Sequence, residues 1–126
     1  MQIEKLDHVN VRTTQLETMI AWYSEVLGLR RGDRPDFPTL GAWMYVGEKA
    51  VVHLVQNPDA PGAGSETSLK LEHFAFSAAG RVAFEAKLSA RDERFNRAEV
   101  SEINVVQFNV WDPDGNHIHI DFPMDE

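Results

Sequence analysis

The chain contains no cysteine. Disulfides, thiolate nucleophiles, thiolate zinc sites and iron–sulfur clusters are therefore excluded, and any bound metal must be held by His, Asp or Glu. Basic residues are also scarce: Lys and Arg number 12 against 20 Asp and Glu, a formal net charge of −8. That balance repels nucleic acid and anionic membranes unless a strong local basic patch offsets it. The one dense basic stretch, Leu29-Arg30-Arg31-Gly32-Asp33-Arg34, is too short for that role. It suits a loop or, at most, contact with an anionic small molecule. Long apolar runs are missing too, with none approaching the ~20 residues that cross a bilayer. The N-terminal Met1-Gln2-Ile3-Glu4-Lys5-Leu6 lacks the basic start and apolar core of a secretion signal. The expectation is a soluble, cytoplasmic protein with no nucleic-acid or membrane partner.

What is present is ordinary in amount and unusual in arrangement. A length of 126 residues, 43% hydrophobic and 25% charged, suits one globular domain. Within it lies an internal repeat. Leu6-Asp7-His8-Val9-Asn10-Val11 and Leu71-Glu72-His73-Phe74-Ala75-Phe76 share the order Leu, acid, His, apolar, small, apolar, and both alternate as strands do. Further along each half a second histidine sits in a strand-like run, His53 in Ala50–Val55 and His119 in His117–Phe122. His8 and His53 are 45 residues apart and His73 and His119 are 46 apart, so the two copies are in register to within one residue.

Between its histidines each copy carries a helix and further strands. Leu16, Met19, Ile20, Tyr23, Val26 and Leu27 recur at helical spacing, and Gly28 stands where a left-handed cap would end the helix. In the second copy Val82, Phe84, Ala86, Leu88 and Phe95 are less regular, but 83–90 favours helix by composition. Strands are expected over 42–46 and 105–111, with turns at Gly47-Glu48-Lys49 and Asp112-Pro113-Asp114-Gly115-Asn116. The remaining strand of each copy is expected within 32–40 and 99–104. The reading is an α+β fold of two tandem βαβββ modules, about 1–57 and 69–126. A linker of about 58–68 joins them, and they form a curved mixed sheet around a shared cavity.

Alternation places His8 with Asn10 and Arg12, His73 with Ala75 and Ser77, and His119 with His117 and Asp121 on common strand faces. If the copies pair about a pseudo-twofold axis, His8, His53, His73 and His119 converge. Four neutral imidazoles suit a divalent ion such as zinc, nickel, iron or manganese and leave its full charge to polarise an oxygen ligand. A lone histidine among Val and Leu is more often a hydrogen-bonded core residue. Here, however, four of the five histidines occupy equivalent positions of a repeat, which filling a strand face does not require. His117 breaks the repeat and reads as a rim residue able to gate the site or shuttle protons.

Four segments together resemble the vicinal oxygen chelate superfamily of glyoxalases, epimerases, extradiol dioxygenases and fosfomycin- and bleomycin-resistance proteins. They are Leu6-Asp7-His8-Val9, Trp22-Tyr23-Ser24-Glu25-Val26-Leu27-Gly28-Leu29, Leu71-Glu72-His73-Phe74 and Asp112-Pro113-Asp114-Gly115-Asn116. The resemblance spans nearly the whole chain. It implies a glyoxalase-like fold and metal ligands at His8, His53, His73 and His119. It also implies a small substrate whose vicinal oxygens chelate the metal, with stabilisation of an oxyanion in a lyase or isomerase reaction. His53 or His119 would move the proton, and a homodimer is expected. Relatives often carry a carboxylate at the second and fourth ligand positions, where this chain has histidine. An iron-dependent dioxygenase, with His8, His73 and either His119 or Asp121 as ligands, is one alternative. The other is a non-catalytic drug-binding protein. Phe37, Trp43, Tyr45, Phe108, Trp111, His117 and Asp121 are the expected substrate-pocket residues.

Overall fold

In the computed structural model, which describes residues 1–58 and 71–126, each copy of the repeat folds onto its own four-stranded sheet. The first module runs β1 (Val9–Thr13), α1 (Leu16–Glu25), β2 (Arg30–Gly32), β3 (Gly41–Val46) and β4 (Lys49–Gln56). The second runs β5 (Phe74–Ser77), α2 (Arg81–Ala90), β6 (Phe95–Val100), a 3₁₀ turn at Ser101–Ile103, β7 (Val105–Trp111) and β8 (His117–Pro123). The strand orders are β1-β4-β3-β2 and β5-β8-β7-β6. In each sheet the first and last strands of the module pair in parallel and the other pairs are antiparallel. The βαβββ expectation holds in both halves. Two compact units, Met1–Gly62 and Ala63–Glu126, divide the chain. All but residue 58 of the expected linker lies outside the described residues.

Period-2 alternation decides which side of each sheet is core. In the first module Ala42 and Met44 of β3 and Val52 and Leu54 of β4 are buried, as are the α1 face made by Leu16, Met19, Ile20 and Tyr23 and the residue that follows the helix, Val26. Helix α1 starts without a cap of its own. Instead the Leu16 amide donates to Gln56 Oε1 at the end of β4, 3.2 Å away, and Gln56 Nε2 donates to the Thr14 carbonyl. It ends as the sequence expects: Gly28, at φ +74°, donates to the Ser24 carbonyl, a backbone state that glycine adopts without a Cβ penalty.

The second core is more aromatic. Phe108 packs against Phe84, Phe95 and Phe122, with ring centroids 5.6–5.9 Å apart. Val106, Val110, Ile118 and Ile120 are buried with it. Only Leu88 of α2 is fully buried while Val82 is exposed, which explains the irregular apolar spacing of that segment. Phe95, grouped with the helix by its apolar character, opens β6 instead. The third element of each module also lies earlier than expected. β2 is Arg30–Gly32 and not part of 33–40, where Pro35 and Pro38 have no amide to give a ladder, and β6 ends at Val100, where the chain turns.

The turn before β8 is built around one buried carboxylate. Asp112 Oδ1 accepts from the amides of Asp114 and Asn116 at 3.0 and 2.9 Å, and Oδ2 accepts from Asn116 Nδ2 at 2.8 Å. Gly115, at φ +82°, closes it.

Candidate metal centre and adjoining cleft

The face of each sheet turned away from its helix carries the histidines. His8 and His73 stand just ahead of β1 and β5, and His53 and His119 lie within β4 and β8. The register is the same in both copies: His53 pairs with Asn10, two residues after His8, and His119 pairs with Ala75, two residues after His73. Side-chain geometry repeats as well. The His8 and His53 rings stack with centroids 3.8 Å apart and the His73 and His119 rings at 3.7 Å, each pair within 12° of parallel.

The acid of the repeated Leu-acid-His pattern, to which the sequence reading gave no role, orients the imidazole behind it. His8 Nδ1 donates to Asp7 Oδ2 at 2.7 Å, and His73 Nδ1 donates to Glu72 Oε2. A carboxylate on Nδ1 leaves the Nε2 lone pair available as a ligand. The hydrogen bond from His8 holds Asp7 below the ordinary carboxylate range, and bonds from His73 and then His117 do the same for Glu72.

Around the second pair the surroundings are polar. His117, read from sequence as a rim residue, joins the cluster: among the described residues, His73, His117 and His119 form the one set of three side chains whose ligand atoms lie within 4.8 Å of one another. His117 Nδ1 bonds Glu72 Oε1 at 2.7 Å and its Nε2 faces Asn109 Oδ1 at 2.8 Å. Its ring stacks on Trp111, with Arg94 over the Trp111 ring at 3.9 Å. Asp121 stands outside the set, and its Oδ1 accepts from Gln107 Nε2 at 3.0 Å.

His119 tests whether a metal fits. Its Nε2 is buried and has no hydrogen-bond partner, an uncommon and costly condition for a polar atom unless a ligand engages it. Burial, and then the neighbouring His73, push its basicity below the usual histidine value of 6.5, which favours the neutral, ligating form. His53 is depressed in the same way by burial and then by His8.

Around the first pair the surroundings are aromatic. Trp43 stacks on the outer face of His53 at 4.1 Å, making a column His8–His53–Trp43. This column borders a cleft of 620 Å³ that Phe37, Tyr45 and Arg34 also line. Of the expected pocket residues, Phe37, Trp43 and Tyr45 are in this cleft, and Trp111, His117 and Asp121 share the polar face of the second sheet. Phe108 is a correction: it is fully buried on the helix side of β7 and lines no ligand surface. Its parity with Val106 and Val110, opposite to Asn109 and Trp111, was the available signal.

A family model described as the Glyoxalase/Bleomycin resistance protein/Dioxygenase superfamily matches residues 5–120, and the chain belongs to that superfamily. No curated protein matches it. Solved structures of low identity share the fold. A protein of Bacillus anthracis described as a glyoxalase family member is 23% identical, with a TM-score of 0.78 over 98% of each chain. A glyoxylase/bleomycin resistance protein/dioxygenase domain from Frankia sp. EAN1pec is 18% identical, with a TM-score of 0.80 over 97% of this chain and 99% of that one. A lactoylglutathione lyase from Agrobacterium tumefaciens is 14% identical, with a TM-score of 0.71 over 97% of this chain and 96% of that one.

Proposed function

We propose that the protein is a metal-dependent enzyme of the vicinal oxygen chelate type, with His73 and His119 at the heart of its metal site. The observation that carries this reading is the buried, partnerless Nε2 of His119 inside a cluster of three imidazoles. The repeat supports His8 and His53 as the equivalent pair that completes a four-histidine set, in a homodimer of the cytoplasm. When bound, the metal would supply positive charge to two neighbouring oxygens of a small substrate and stabilise an oxyanion in a lyase or isomerase reaction.

The chain's own groups have definite tasks in this reading. Asp7 and Glu72 fix the tautomers of His8 and His73. His53 and His119 are held neutral by burial, the form that ligates a metal, and either would take a proton from the substrate only at a nitrogen the metal does not occupy. The three-imidazole cluster includes no carboxylate: Asp121 stands outside it and accepts a hydrogen bond from Gln107. This weighs against the dioxygenase alternative, which needs a two-His, one-carboxylate set. Drug sequestration remains the second reading, on the strength of the aromatic column in the first module.

Metal analysis of single variants tests the ligand set. With the four-histidine set, His8→Ala and His73→Ala both lose most of the metal and His117→Ala keeps it. Loss in His73→Ala and His117→Ala with retention in His8→Ala would instead assign the second module alone. Retention of full metal content by both His73→Ala and His119→Ala contradicts the proposal. Oxygen uptake by the iron-loaded protein would favour the dioxygenase, and ligand binding undiminished by chelator would favour sequestration.

A further inference from the structure

We infer that the cleft of the first module recognises a flat organic carboxylate, with Arg34 as the group that receives the carboxylate. Arg34 lies in the loop between β2 and β3. Its guanidinium carbon stands 5.0 Å from the centroid of Phe37, and Nη2 donates to Thr39 Oγ1 at 3.4 Å. Its Nε is closed off from solvent without a hydrogen-bond partner, and among the described residues no carboxylate forms an ion pair with it. Arg34 nonetheless lines the cleft, and a guanidinium held in place there with no carboxylate of the chain on it is a receptor for a planar two-oxygen anion, which it can bind in a bidentate fork.

The surroundings hold that guanidinium in position. Tyr45 hydroxyl donates to the Asp33 carbonyl at 2.5 Å, and the Gln56 amide donates to the Leu40 carbonyl at 2.9 Å, pinning both ends of the loop. Gly41 leaves the space the guanidinium occupies: a Cβ there would come within 2.8 Å of Arg34 Nη2. Lys49 lines the same cleft and adds a second positive charge in a chain that is otherwise strongly acidic. Of the two carboxylates lining it, Asp7 is engaged by His8 and Glu48 belongs to the turn between β3 and β4.

Flatness follows from the walls. Phe37 and Trp43 stand with centroids 6.3 Å apart and planes at 51°, and Trp43 continues into the stacked His53 and His8. Aromatic faces gain most from a planar partner. A volume of 620 Å³ lies within the ~300–1,000 Å³ usual for small-molecule sites. As the substrate class of the proposed enzyme this rests on the metal reading; as a binding property it does not, because each contact named is a side chain of the first module.

Calorimetric titration of the full chain, stripped with chelator, separates the two. The probes are 1-naphthoate and its neutral isostere 1-naphthamide. The wild type binds 1-naphthoate, and the amide binds at least about tenfold more weakly, the scale of one charge-assisted hydrogen-bonded pair. Arg34→Gln should weaken naphthoate by a similar factor and leave the amide nearly unchanged, with Arg34→Lys between. Thermal unfolding checks that the variants fold; if Arg34→Gln does not, Arg34→Lys and the naphthoate–naphthamide ratio in the wild type decide. Absence of naphthoate binding, equal affinity for acid and amide, or indifference to Arg34 overturns the inference and leaves the metal proposal standing. Naphthoate binding by a protein that takes up no metal would overturn the metal proposal instead.

Discussion

His119 stacks on His73 at 3.7 Å and 12°, and the same relationship joins His53 to His8 at 3.8 Å and 12°. The two modules therefore share the imidazole pair and differ in its neighbours. Opposite His53 on β3 stands Trp43, and opposite His119 on β7 stands Asn109. One copy thereby gains an aromatic cleft, and the other gains a polar cluster that recruits His117.

Glu72 touches both His73 and His117, so its carboxylate is a lever on the second cluster that leaves the ligand atoms in place. Glu72→Gln should weaken metal binding by roughly ten- to a hundredfold, the usual effect of losing a carboxylate that orients a ligating histidine. Competition with a chromogenic chelator measures it. Unchanged affinity would remove Glu72 from the site.

Acidification should act twice. His53 and His119 are depressed below 6.5 by burial and by their stacked partners, so the folded chain takes up protons less readily than the unfolded one. Their contribution to metal-free stability is complete above about 6.5 and declines as pH falls from there through their lower folded values. Bound metal should be released over the same acidic range, because protons compete for the same nitrogens. Denaturant unfolding and metal retention, each followed from pH 7.5 to about 4.5, check the two effects; full metal retention at about pH 4 would point to carboxylate ligands.

Phe108 and Trp111 occupy opposite faces of β7. Phe108→Ala should destabilise the protein by about 3–5 kcal/mol through a cavity among Phe84, Phe95 and Phe122. Trp111→Ala should cost much less and disturb His117, whose ring it supports. Urea unfolding of the two variants gives the comparison, and a Phe108→Ala effect under about 1 kcal/mol would contradict the core placement.

Asp112→Ala removes one carboxylate that accepts three hydrogen bonds and is 4% exposed. A loss of about 2–4 kcal/mol is expected from the stranded amides, with metal affinity reduced less than in Glu72→Gln. Parallel unfolding and metal titrations check this.

Much of the architecture was readable because its causes are local or periodic. The helical spacing of Leu16 to Leu27 with Gly28 behind it, the alternation through 105–111 and the matched histidines each state their own structure. The short β2 was misplaced because its three residues, Arg30–Gly32, have no apolar pattern and are held by pairing with β3. Helix α2 was weakly marked because one buried leucine and one phenylalanine anchor it, and Glu126, far along the chain, caps it through the Gly80 and Arg81 amides. In the site, four histidines were marked by the repeat, whereas the membership of His117 depends on Asn109 of β7 and on Glu72, ahead of β5, meeting it. No spacing along the sequence records those contacts. The role of Arg34 was hidden for the same reason: Phe37, Thr39 and Gly41 surround it only once the loop is closed.

The most direct test is elemental analysis of protein purified without added metal or an affinity tag, followed by anomalous diffraction at the absorption edge of the element found. The account predicts a near-stoichiometric divalent metal, with an anomalous peak about 2.0–2.2 Å from the Nε2 atoms of His73 and His119. A protein that takes up no metal, or a peak bound away from these two imidazoles, would contradict it.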